Sequence, residues 1–127
     1  MRLPNKTAIV TGAGSGFGES IARTFAREGS NVLINDLDEE KGRRVADSIN
    51  QTGDRAGHGR ALFFGADVTD GHAVAAMVKA AEDRFGGLDI MVNNAGYTHR
   101  NKPMLEVTDA EFDRIFAVNV KALFLAA

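Results

Sequence analysis

No cysteine occurs in the 127 residues, which excludes disulfides and thiolate chemistry and makes a cytoplasmic location the expectation. Apolar residues make up 44% of the chain yet never run long enough to cross a bilayer as a helix. Neither sign of charge dominates: 15 Lys and Arg stand against 17 Asp and Glu, and no basic stripe marks a nucleic-acid partner. The three histidines, His58, His72 and His99, are scattered without ligand spacing, so no metal is expected. A glycine-rich stretch follows soon after Met1, and no secretory signal is expected. Between Lys6 and Lys41 there is no lysine, which removes the Gly-x-x-x-x-Gly-Lys-Ser/Thr loop of nucleoside triphosphatases.

What is present is a short apolar run, Ala8-Ile9-Val10, that breaks into glycines at 12, 14, 16 and 18. A helical pattern begins at once, with Phe17, Ile21, Ala22, Phe25 and Ala26 on one face, and Gly29 stands where it would end. Strand, glycine turn and helix together are the context a phosphate-binding loop needs, although a glycine-rich turn with no ligand has the same pattern. Glycine lets the backbone approach a ligand, and the first-turn N–H groups and helix dipole face negative charge. The Gly-x-Gly-x-x-Gly spacing fails, because Phe17 and Glu19 fall where its last glycine belongs; Thr-Gly-x-x-x-Gly-x-Gly fits at Thr11, Gly12, Gly16 and Gly18.

Further along, residues 31–36 read as a strand covered on both faces, ending at Asp36, 18 residues beyond Gly18. A helix is expected over 38–51 with Val45, Ala46 and Ile49 inward, then a polar loop over 52–60. A third strand is expected over 61–68. Thr69 or Asp70 then caps a helix carrying Val74, Met77, Val78, Ala81 and Phe85, which ends at Gly86-Gly87. A fourth strand, 88–92, runs into Asn93-Asn94-Ala95-Gly96. This alternation predicts an α/β fold, a doubly wound parallel sheet of order 3-2-1-4, whose ligand crevice lies beyond strands 1 and 4. Thr108-Asp-Ala-Glu111 is a capping box opening a last helix that is apolar on two faces, so a neighbour outside its own face is expected. Asn119 lies within its core stripe, where an amide needs a hydrogen-bond partner; a purely structural bridge satisfies that as well as an active-site role does.

The glycine pattern, Asp36, Asp67-Val68, Asn93-Asn94-Ala95-Gly96 and the segment Phe112-Asp-Arg-Ile-Phe-Ala-Val-Asn-Val-Lys-Ala-Leu-Phe occur in the order found in the short-chain dehydrogenase/reductase family, which the chain closely resembles. The resemblance implies a Rossmann-type sheet and an oxidoreductase moving a hydride between NAD and an alcohol/carbonyl substrate. It implies that Gly12, Ser15, Gly16, Phe17 and Gly18 hold the pyrophosphate. Asp36 and Leu37 would take the adenosine ribose side, Asp67 and Val68 the adenine, and Asn94, Ala95 and Gly96 the nicotinamide-side ribose. Asn119 matches the active-site asparagine that supports the catalytic lysine through a water. The last helix would pair copies of the chain into a dimer or tetramer.

The family's catalytic serine and Tyr-x-x-x-Lys pair do not appear. The only tyrosine, Tyr97, has Asn101 four residues on and Lys102 five on. Residues 1–127 are therefore expected to be the N-terminal dinucleotide-binding portion of a single Rossmann domain, with its C-terminal catalytic portion absent. The alternative from a different class is a non-catalytic NAD-binding or subunit-pairing module.

Overall fold

The computed structural model describes residues 2–52 and 57–94. The apolar run and its neighbours form β1 (Thr7–Thr11), buried at all five positions. The glycine turn leads into α1 (Gly16–Arg27), then come β2 (Asn31–Asn35), α2 (Glu39–Thr52), β3 (Ala61–Phe63), α3 (Gly71–Phe85) and β4 (Ile90–Val92). The sheet is parallel throughout, in the order β3-β2-β1-β4. Ile9 stands beside Leu33 on β2 and Met91 on β4.

Strand alternation sends successive side chains to opposite faces, and both faces are covered. Val10, Val32 and Ile34 pack with Ala22 and Ala26 of α1 and Val45, Ala46 and Ile49 of α2. Ile9 and Leu33 point the other way, onto Met77 and Ala81 of α3. Each fully buried Val, Leu or Ile contributes about 1.5–3 kcal/mol of apolar transfer, so the central pair β1–β2 anchors the molecule. The helix ends follow their sequence signals. Ser30 N–H bonds to Phe25 O at 3.0 Å and Gly29 N–H to Ala26 O at 3.1 Å, the paired bonds of a Schellman end. Asp70 caps α3, accepting from the N–H groups of His72 and Ala73.

Two expected boundaries move. The third strand stops at Phe63 rather than Val68. The amide of fully buried Asn35 donates to the carbonyls of Phe64 and Ala66, both at 3.1 Å, and holds the chain in a loop where a ladder would have continued. The fourth strand is three residues long, Ile90–Val92, and Asp89 just before it holds the start of β1: its N–H donates to Thr7 O and its Oδ2 accepts the Thr7 N–H, both at 2.9 Å. The outer edge of β3 is closed at Ala61, whose N–H and C=O both bond to the side chain of Asn50 at 2.9 Å.

The expected last helix with Asn119, and Ala95, Gly96 and Tyr97, lie outside the described residues. Among the described residues no helix is long and apolar enough to cross a membrane.

Candidate dinucleotide-binding site

Where the order of strands reverses, β1 and β4 are neighbours, and the segments that leave their C-terminal ends meet. Thr11, the last residue of β1, makes the junction. Its hydroxyl donates to Val92 O at 3.3 Å and accepts the N–H of Asn94 at 3.0 Å. The Asn94 side chain then donates to Gly12 O at 3.2 Å. Two residues 82 positions apart are thereby joined, and Asn94 acts as a brace for the glycine turn.

The turn itself requires its glycines in different ways. Gly12 and Gly16 have φ of 63° and 59°, in the left-handed region that side chains disfavour. Gly18 is buried in the first turn of α1, and a Cβ there would press on the Gly12 carbonyl oxygen and come within 2.6 Å of the Asn94 amide nitrogen. A Cβ at Gly16, by contrast, would meet nothing within 4 Å: that part of the turn is open. Ser15 occupies the N-cap position in extended backbone, yet its side chain makes no capping hydrogen bond. The N–H groups that begin a helix have no intrahelical acceptor, so at α1 they remain available to an external anion.

Asp36 follows β2 directly and stands beside the turn. Its Oδ2 accepts the N–H of Gly14 at 2.9 Å and its Oδ1 that of Asp38, also at 2.9 Å. Across β2, Val68 is nearly covered at 8% exposure, and Asp67 accepts both the N–H and the hydroxyl of Thr69. The structure thus brings Gly12, Ser15, Gly16, Phe17, Gly18 and Asn94 together at one rim, with Asp36 and Leu37 beside them.

Phe17 departs from its expected place on the inward face of α1. It is 84% exposed, because a first-turn side chain leans toward the helix N-terminus, past the strand ends it would otherwise cover. It and Leu37, at 68%, are the exposed large apolar side chains of the described residues, and both border this rim. Of the nearby arginines, Arg43 pairs with Glu39 at 2.8 Å and lies over the Phe63 ring. Arg44 lines a shallow hollow of about 220 Å³ with Lys41, Asp38 and Glu40. Sequence reasoning left Thr11, Asn35 and Lys41 without roles. Thr11 was visible in the glycine pattern, but its partners, Val92 at the end of β4 and Asn94 just after it, lie 81 residues away or more and follow only from the strand order.

The parallel sheet of order β3-β2-β1-β4 with helices on both faces is a Rossmann-type fold. The model of the family described as short chain dehydrogenase matches residues 6–127, and the chain belongs to that family. It is 47% identical over all 127 residues to 4-formylbenzenesulfonate dehydrogenase TsaC1/TsaC2 of Comamonas testosteroni, covering 48% of that protein. It is 39% identical over 128 aligned positions to zerumbone synthase of Zingiber zerumbet, spanning 98% of this chain and 45% of the relative. Among solved structures, 3-ketoacyl-(acyl-carrier-protein) reductase from Brucella melitensis complexed with NADH superposes with a TM-score of 0.87 at 43% identity, over 98% of this chain and 48% of that one. The chain thus spans about half the length of the curated relatives it matches.

Proposed function

We propose that this chain is the dinucleotide-binding portion, residues 1–127, of an NAD-dependent oxidoreductase that acts on an alcohol/carbonyl pair. The observation that carries the reading is the open first turn of α1 with the Asp36 carboxylate standing beside it. The residues present fit a dinucleotide. Gly16 leaves space at the turn, Gly18 lets α1 approach Gly12, and the uncapped N–H groups of α1 suit a pyrophosphate. Asp36 has a second lone pair on each oxygen for ribose hydroxyls. Leu37 would stand with Asp36 on the adenosine ribose side, Asp67 and Val68 would take the adenine, and Asn94 with Ala95 and Gly96 the nicotinamide-side ribose. When bound, the nicotinamide supplies the hydride donor or acceptor; the chain's own part is to bind and orient it. Asn119 keeps its proposed role of supporting a catalytic lysine.

A polypeptide of these 127 residues is expected to bind NAD and not to oxidise alcohols, because it carries no Tyr-x-x-x-Lys pair and loss of a general acid/base costs roughly 10²–10⁴ in rate. Spectrophotometric assay of the purified polypeptide with a panel of alcohols checks this. Cofactor-dependent oxidation above that of a Gly16→Asp control would refute it.

We also propose that copies of the protein pair through the last helix, whose second apolar stripe, Ala117, Val120 and Phe124, asks for a partner. Light scattering is expected to report a dimer or tetramer, and a monodisperse monomer at high concentration would count against it. A cytoplasmic location is the companion proposal, from the absence of cysteine, and cell fractionation tests it.

A further inference from the structure

The glycine turn does not hold its shape alone. One carboxylate, that of Asp36, takes the Gly14 N–H on Oδ2 and the Asp38 N–H on Oδ1, each at 2.9 Å, and so ties the turn to the entry of α2. The packing leaves no slack at the tie. Gly14 is buried, and a Cβ built on it would stand 2.8 Å from Asp36 Oδ2, 3.0 Å from Asp36 Cγ and 3.0 Å from Lys41 Cβ. The other end of the tie is anchored in the core. Asp36 follows Asn35, which is 1% exposed and bonded through its side chain to two carbonyls of the loop after β3.

We infer that Asp36 is a positioning residue for the phosphate-binding turn, distinct from any contact it makes with ribose. Its carboxylate latches Gly14 and thereby sets where the amides that follow face the ligand. The inference rests on the cofactor reading above, in that the turn is taken as the pyrophosphate site. It has a consequence of definite sign. A carboxylate beside a phosphate site repels the ligand, so removing it should tighten anion binding if charge were its only influence. Removing a latch loosens the turn and weakens binding. The two effects oppose each other, and the latch is expected to win because Gly14 N–H loses its acceptor at a buried position.

Inorganic pyrophosphate separates the roles, since it has no ribose. Calorimetric titration of the unaltered chain, Asp36→Ala and Asp36→Asn, with amide hydrogen exchange read at Gly14, is the test. Asp36→Ala is expected to bind pyrophosphate roughly 3–10-fold more weakly, as the loss of one hydrogen bond implies, and to exchange the Gly14 amide faster. Asp36→Asn, which keeps an acceptor oxygen, is expected to recover most of both. Protection of the Ile9 and Leu33 amides reports whether the core is intact. Should Asp36→Ala fail to fold, Gly14→Ala carries the same expectation of weaker binding, because its Cβ presses on the latch. Binding by Asp36→Ala equal to or tighter than that of the unaltered chain overturns the latch while leaving the cofactor reading standing. An Asp36→Asn variant no better than Asp36→Ala, or Gly14→Ala binding unchanged, overturns it too. Failure of the unaltered chain to bind pyrophosphate overturns both readings together.

Discussion

Gly18→Ala is expected to abolish measurable NAD binding and to destabilise the chain by about 2–3 kcal/mol, the upper part of the range for forced overpacking. The added methyl would meet the Gly12 backbone and the Asn94 side-chain Nδ2, which is itself held by its bond to Gly12 O. The Gly12 carbonyl oxygen is in its path, the Gly12 carbonyl carbon lies 2.8 Å away and the Asn94 amide nitrogen 2.6 Å away. Neither Gly12 nor Asn94 is free to retreat, since both are tied to Thr11 at the end of β1, directly by the chain or through the 3.0 Å bond from Asn94 N–H. The first turn of α1 would have to lift off the sheet, carrying its amides away from the anion site. Gly16→Ala is the internal comparison. Its methyl has open space, so the cost is that of a left-handed φ of 59° alone, about 1 kcal/mol. Urea unfolding of the two variants should therefore rank Gly18→Ala clearly below Gly16→Ala. Equal stability of the two would mean that the packing of α1 against Gly12 is not as described.

Much of this arrangement was legible from residue order. The buried run in β1, the glycine spacing and the inward triad Val45, Ala46 and Ile49 each follow from a local period, and a parallel sheet in the order 3-2-1-4 follows from their alternation. What was hidden depends on contacts between distant segments. The early end of β3 is set by the side chain of Asn35, a polar residue whose bonds to Phe64 and Ala66 leave no periodic trace. Phe17 falls on the same helical face as Ile21, yet the sheet does not extend beneath the first turn. The approach of Lys41 Cβ to Gly14 is likewise a matter of how α2 sits against the turn. Periodicity carries the element, and the site is assembled by side chains that bridge elements.

Charge at Asp36 bears on the cofactor itself. In the proposed site, a 2′-phosphate placed where Asp36 would meet the ribose would face a carboxylate already fixed by two backbone N–H groups. At 4 Å and an effective dielectric of 20 the repulsion is roughly 4 kcal/mol per pair of unit charges. Partial exposure and salt reduce it, and a preference for NAD over NADP of at least about tenfold is expected to survive. The nearby cations stand among carboxylates of their own. Arg43 is paired with Glu39, and Lys41 and Arg44 share their hollow with Asp38 and Glu40. Removing the carboxylate should narrow the ratio, even though loss of the tie to Gly14 weakens both cofactors. Side-by-side calorimetric titration of NAD and NADP into the intact chain and an Asp36→Ser variant tests the central claim most directly. The account predicts that the intact chain binds NAD at least about tenfold more tightly than NADP and that Asp36→Ser brings the two affinities together. Equal affinity of the intact chain for both, or a ratio that Asp36→Ser leaves unchanged, would contradict it.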